Sequence, residues 1–596
     1  MPVHRPRLKF PPLIGVYSLL GVLLASLVVG LTFARQADAA RMTPPPPPPR
    51  CAAPAPERAP AKPPAADSDA TPPRAEATDV WTDGSVTVGG AAIDYCAVAG
   101  TLVVHPKDWD DTASKDPSTK DDTDDSEKKP TAQASMFYVA YLRRGGEATS
   151  RPITFLFNGG PGTATVWLHM GAFGPRRVDT ADAMHSAPAP YHLVNNDQSL
   201  LDASDLVFID APGTGFSRIS GPDKEKSFYG IDEDAHAFAE FITAFLSKYR
   251  RWNSPKYLFG ESYGTTRAAV LVNMLQDNPG VDFNGVIMLS QVLASDLYPD
   301  QPNAAPGNDL PFLLTLPTYA ATAWYHNQPP DHRSTQVPAS LLSDVERFAM
   351  GDYAAALAAG ASLDPTTREN IVAKLHEFSG LSADYLRRAD LRVSPDEFRQ
   401  ELLRDRGLIV GGTDTRFEGH TMDRMSRQAT YDPSDAAIGS AYVSSFNDYV
   451  RRVLKYGDDK SYRPSVDDIG DKWSFVHVPP DASDSSTSDQ GANVIPDLAH
   501  AMKTNPLLKV QLNSGYFDLL TPYFQGKYEM RHLPIPPDLR TNIEYRCYRS
   551  GHMVYLAHDA LAQLHDNVAG FIERTSNLPQ KQARPRSPMT DCASDR

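Results

Sequence analysis

Ser262 lies between two glycines, Gly260 and Gly264, where the apolar run "KYLFG" (256–260) gives way to an alanine-rich helical pattern, "YGTTRAAVL" (263–271). That spacing suits a strand that turns sharply into a helix, since a bulky residue at either glycine would collide with the turn. Such a turn is strained and lifts one hydroxyl above the end of a sheet. Any long chain can hold this pattern by chance, so its weight depends on partners for Ser262 elsewhere in the sequence.

The surrounding pattern supplies a sheet for that turn. Strand-like runs occur at "SMFYVAYL" (135–142), "PITFLFNGG" (152–160), "SDLVFID" (204–210), "KYLFG", "FNGVIML" (283–289), "LLKVQLNSG" (507–515) and "NIEYRCY" (542–548). Helical patterns separate several of them. In residues 232–250, Ala235, Phe238, Phe241, Ile242 and Phe245 fall on one helix face. Strands alternating with helices predict an α/β fold, a mainly parallel sheet covered on both sides. Between residues 298 and 500 strand signals thin out and helix starts dominate. Ser343 and Glu346 in "SDVE" have capping-box spacing; in "SPDE", Ser394 is the expected N-cap, Pro395 the first helical residue and Glu397 the third. The economical division is a core over 79–297, with an acidic loop at 107–133, then a helical cap over 298–500. A second core part follows over 501–576, and then a flexible tail over 577–596.

Composition sets the class and the compartment. The 596 residues are 41% hydrophobic and 22% charged, which reads as globular. A net charge of −15, with no basic stripe interleaved with aromatics, gives no reason to expect a nucleic-acid partner. The acid-rich segment 108–129 reads as a solvated hairpin loop, with an acidic interaction tail as the alternative. Arg5, Arg7 and Lys9 precede an apolar run from Leu13 to Phe33 and the small-residue box "ADAA" (37–40). Residues 1–40 therefore read as a secretory signal, or as a membrane anchor if left uncleaved. The Pro/Ala-rich stretch 41–78 reads as an extended spacer. Cys51, Cys96, Cys547 and Cys592 could bond after export, and their spacing leaves the pairing open. No cysteine or histidine cluster has metal-ligand spacing, so no metal site is expected. No N-x-[ST] sequon occurs, which fits a periplasmic setting. The expectation is an exported protein, periplasmic or extracellular; no sequence feature sets an oligomeric state.

A serine hydroxyl becomes a nucleophile when a base takes its proton, and the base needs a third group to fix its tautomer. Two late segments fit. "VQLNSGYFDLLTP" ends a strand and puts Asp518 in the following turn; "RCYRSGHMVYLAH" ends another and puts His552 just after Gly551. The order Ser262, Asp518, His552 suits a serine hydrolase. Three residues compete. Asp210 lies upstream of the serine, His532 precedes a proline-rich loop and His558 lies in a helical pattern.

Taken together, "FNGGPG" (157–162), "DAPGTGFS" (210–217), "GESYG", "NSGYFD" and "SGH" resemble the signature blocks of the serine carboxypeptidase family. The similarity extends over residues 80–575, apart from the cap. It implies an α/β-hydrolase fold, peptide substrates, removal of single C-terminal residues and no cofactor. It also implies an oxyanion hole made by the N–H groups of Gly160 and Tyr263, and a structural place for Asp210. The substrate's free carboxylate would be held by Asn158, the N–H of Gly159, and Glu261. A glutamate facing a carboxylate must carry a proton, so peptidase activity is expected to be strongest in acid.

Three positions depart from the family pattern. Ala172 in "GAFGP" stands where a second glutamate is common, Leu156 where a tryptophan is expected, and "GTATVW" (162–167) replaces Gly-Cys-Ser-Ser. The carboxylate clamp is thereby altered. An esterase or acyltransferase on the same scaffold is the second reading. A tethered, non-enzymatic binding protein is the third, and it would leave Ser262 unreactive toward a fluorophosphonate.

Overall fold

Short, apolar strands that are buried on both faces line up in the middle of the molecule because only helices covering both sides can satisfy them. In chain order the main strands are β1 (Asp79–Val88), β2 (Ala91–Val104), β3 (Gln133–Arg143), β4 (Ile153–Phe157) and β5 (Asp205–Ile209). β6 (Lys256–Glu261), β7 (Gly285–Leu289), β8 (Lys509–Gly515) and β9 (Ile543–Tyr548) complete them. The computed structural model describes residues 51, 77–107, 109, 132–297, 307–328, 337–480, 482, 492–579 and 592. These lie in the unit Arg50–Arg596. The expected signal segment, nearly all of the spacer and of the acidic loop, and most of the tail fall outside the described residues.

The strands stand in the order β1-β2-β3-β5-β4-β6-β7-β8-β9, and a short strand, Arg218–Ser220, pairs beside β3. The first four of that row pair antiparallel, and from β5 to β9 every pairing is parallel. β4, β5 and β7 are buried along their whole length. β1, with its exposed Ser85 and Thr87, carries too little apolar run to be read from sequence, and the same holds for the first half of β2. Because β5 inserts between β3 and β4 while β6 leaves on the other side, the strand order reverses at β4. Crevices at the carboxyl ends of strands next to such a reversal are where open α/β sheets bind ligands.

Helices cover both faces. On one side pack α1 (Ile231–Lys248) and α2 (Tyr263–Asp277), with the apolar stripe Ala235, Phe238, Phe241, Ile242 and Phe245 fully buried. Between residues 298 and 500 come α3 (Leu310–Tyr325), α4 (Ala339–Phe348), α5 (Pro365–Ser379), α6 (Pro395–Glu401) and α7 (Pro433–Arg452). Most of this region builds an apolar cluster of its own, which includes Leu519 from the turn after β8. α8 (Ile495–Thr504) straddles residue 500 and joins the sheet core through Leu498, Ala501 and Met502, so core packing resumes before residue 501. α9 (Tyr523–Arg531) and α10 (His558–Thr575) follow β8 and β9; α10 and α7 cover the second face.

The capping box at Ser394 forms as expected: the Ser394 side chain accepts from the Glu397 N–H, and Glu397 returns the bond to the Ser394 N–H. The one expected at Ser343 does not. α4 starts four residues earlier, after Pro338, which leaves Ser343 mid-helix. Glu346 is instead drawn inward, where it meets buried Lys527 and accepts from the Tyr523 hydroxyl. Two disulfides, Cys51–Cys96 and Cys547–Cys592, resolve the pairing that spacing left open.

Candidate active site

The Ser262 turn has the strained geometry that its glycines anticipate. Ser262 sits at φ +61° and ψ −131° between the end of β6 and the start of α2. A non-glycine residue held there needs support from its surroundings. The Ser262 N–H donates to Leu289 O at the end of β7, and its carbonyl accepts from the Thr265 N–H and hydroxyl. A Cβ on Gly260 would lie 2.1 Å from Gly264 O, and one on Gly264 would lie 2.9 Å from Phe157 O. Neither position tolerates a side chain. Ser262 itself remains partly open to solvent.

Asp518 and His552 come from the turns after the adjacent strands β8 and β9. Asp518 Oδ2 accepts from His552 Nδ1 at 2.9 Å. The carboxylate also accepts the N–H groups of Leu520 and Thr521 and the Thr521 hydroxyl, at 2.9, 3.0 and 2.6 Å. These bonds fix the carboxylate and, with the proton on Nδ1, leave Nε2 of His552 as the basic nitrogen. Two further bonds clamp the histidine main chain. Its N–H donates to Thr413 O at 2.6 Å, and its carbonyl accepts from Ser290 Oγ at 2.6 Å. Ser290 directly follows the Leu289 that holds Ser262. Burial opposes a charged imidazole at His552, but the Asp518 carboxylate, with Glu261 and Asp435 beyond it, outweighs burial and raises the group to about 9.

The competitors are elsewhere. His532 and His558 are exposed. Asp210 is buried under the loop after β4, where its Oδ1 accepts the Thr165 N–H at 2.8 Å, and burial raises it to about 7.

The donors expected for an oxyanion lie on two segments in contact. Tyr263 opens α2, so its N–H is one of the four that a helix leaves without a partner at its positive end. The loop after β4 packs against it so closely that a Cβ on Gly159 would fall 2.4 Å from Tyr263 N. Gly160 is exposed at φ +111°, a conformation open to glycine. Beneath this loop Arg267 donates to Asn158 O at 2.8 Å and to the buried Asp234 carboxylate.

Glu261 is 2% exposed and faces Asn158. Burial raises its carboxyl to about 7, against the lowering effects of His552, Tyr555 and Asn158. Asn158 accepts the Leu168 N–H on its own oxygen at 3.1 Å, which leaves its amide as the donor toward Glu261. The Tyr555 hydroxyl lies 3.1 Å from each oxygen of the Glu261 carboxyl. Ala172 is wholly buried and brings no carboxyl to this place. The inserted region contributes Thr413 and Asp435, whose side chains meet at 3.1 Å. Asp435 is exposed to solvent, and the surrounding protein and the charge of Asp432 raise it to about 6. Thr413, Thr521, Asp435 and Tyr555 carry no sequence signal of their own, because each depends on contacts between distant segments.

Against known proteins, the serine carboxypeptidase family model matches residues 117–293. Over those residues the chain is similar to serine carboxypeptidases. Over 152 residues it is 24% identical to the pheromone-processing carboxypeptidase KEX1 of Candida dubliniensis, covering 25% of this chain. That match takes in 20% of the Candida protein, so the chain spans about a fifth of the curated relative's length. A crystal structure of Kex1Δp, a prohormone-processing carboxypeptidase from Saccharomyces cerevisiae, aligns over 83% of this chain and 94% of its own. Identity there is 15% and the TM-score 0.45. The peroxisomal α/β-hydrolase Lpx1 from the same yeast aligns over 82% and 93%, at 10% identity and a TM-score of 0.30. The strand order and the Ser262 turn make this an α/β-hydrolase fold.

Proposed function

We propose that the protein is an exported serine carboxypeptidase that releases C-terminal residues from peptides through an acyl-enzyme. Ser262 Oγ attacks the last peptide carbonyl while His552 Nε2 takes its proton, and Asp518 stabilises the imidazolium. The N–H groups of Gly160 and Tyr263 receive the developing oxyanion. His552 then gives the proton to the departing nitrogen, the amino acid leaves, and water repeats the sequence on the ester. Asn158, the Gly159 N–H and protonated Glu261 hold the free carboxylate. Residues 298–500 serve as the cap from which the side-chain pocket is built. Two disulfides support an exported life, since such bonds persist in oxidising compartments.

The observation that carries this reading is a buried, protonatable carboxyl immediately before the serine. An esterase needs no group to hold a free substrate carboxylate. Affinity for the free carboxylate should hold in acid and weaken as pH rises through about 7, where Glu261 ionises, while turnover also needs His552 without its second proton. The test is release of free amino acid from blocked dipeptides by the wild type and Ser262→Ala; equal rates in both end the proposal. Ala172, where no carboxyl pairs with Glu261, favours the second reading, an esterase or acyltransferase. Turnover of p-nitrophenyl esters with no amino-acid release at any pH would select it.

A further inference from the structure

The Tyr555 hydroxyl touches both oxygens of a buried carboxyl, a contact that Ser262, Asp518 and His552 do not use. Its ring cannot drift. A Cβ on Gly171 would fall 2.7 Å from the Tyr555 ring and 2.6 Å from Tyr442 Oη, so that backbone presses on both tyrosines. Both rings are buried. We propose that Tyr555 is a positioning residue, which orients the Glu261 carboxyl and sets the pH at which it takes up a proton. This rests on reading Glu261 as the holder of the substrate carboxylate.

The chemistry favours a phenol in this place. A cation would hold Glu261 ionised and make it repel a carboxylate, and a second acid would compete for the same proton. A neutral hydroxyl does neither. It donates to the ionised form, while on the protonated form it occupies one oxygen and leaves the other to carry a proton toward the substrate. The other groups facing Glu261 are Asn158 from the loop after β4, His552 after β9 and Asp518 after β8. Tyr442 of α7 senses its charge as well. Removing the phenol oxygen takes a donor away from the ionised carboxylate, so Glu261 must hold its proton to a higher pH.

The test is calorimetric binding of a blocked dipeptide, and of the same dipeptide as its C-terminal amide, to Ser262→Ala across pH 4–9. Without Tyr555→Phe, binding of the acid should weaken tenfold per pH unit above the Glu261 transition. With Tyr555→Phe added, that transition should move up by about one pH unit, and affinity below it should fall about fivefold. In the active enzyme the same change should move KM more than kcat. A folded Tyr555→Phe with an unmoved transition overturns the proposal. Absence of any pH-dependent difference between acid and amide in the Ser262→Ala parent would instead overturn the clamp itself. Should Tyr555→Phe fail to fold, Tyr555→Met lacks the same hydroxyl and is read by the same criteria.

Discussion

Replacing Glu261 with glutamine removes a titrating group while keeping the shape of the side chain, so its effect on stability can be worked from one buried carboxyl. Burial lifts Glu261 from an ordinary 4.5 to about 7. The folded protein therefore holds a proton that the unfolded chain has released between those two values. Stability is full below pH 4.5 and declines as pH rises through 7, because the native state must then keep an ionised carboxylate out of water. A gap of about 2.5 pH units, at about 1.36 kcal/mol each, makes the loss about 3 kcal/mol. Glutamine carries no such penalty. Urea unfolding of Glu261→Gln and the wild type should agree near pH 4 and diverge with rising pH, the variant being the more stable by up to about 3 kcal/mol at pH 8–9. The same variant has an amide that can donate to a carboxylate at every pH, so the alkaline fall in kcat/KM for blocked dipeptides should flatten. A stability difference that stays constant with pH, or that favours the wild type at pH 8, refutes the reasoning.

Two further changes probe the reacting groups. Asp518→Asn keeps the turn but lets His552 adopt the wrong tautomer, so kcat should fall on the order of 10⁴-fold in both ester and peptide assays; a loss under tenfold would remove Asp518 from the relay. Gly159→Ala drives a methyl group to 2.4 Å from Tyr263 N. It should lower kcat about 10²–10³-fold by displacing the oxyanion donors, and near-wild-type turnover would show that those N–H groups are not used.

Much of the fold could be read in advance because its signals are local. Seven apolar runs became strands because burial on both faces demands continuous hydrophobicity. β1 escaped because its partner and its exposed face carry the pattern, not its own composition. Ser343 misled because capping-box spacing says nothing about where a helix has already begun; Pro338 started α4 earlier, and the buried Lys527 then recruited Glu346. The motif residues around Ser262 announced themselves through glycine spacing, which is a steric requirement written in sequence. Tyr555 had no such announcement. It lies 294 positions from Glu261, and only the side-by-side assembly of β6 to β9 in one sheet puts the two side chains together.

The geometry also ties two titrations into one. Three carboxyls, Asp518, Glu261 and Asp435, all raise the proton affinity of His552. Two of the three are themselves lifted toward neutrality, Glu261 to about 7 and Asp435 to about 6. When pH falls and Glu261 takes a proton, one of the anions holding the His552 proton vanishes, and that imidazole becomes easier to deprotonate. Protonation of Glu261 therefore lowers the pH at which His552 gives up its proton. The groups must then titrate as a set, with apparent values that belong to the cluster rather than to either residue. Glu261→Gln should accordingly lower the apparent pKa of His552, read from the acid limb of ester hydrolysis, which does not use the clamp. An acid limb left in place by that substitution would show that the two groups titrate independently.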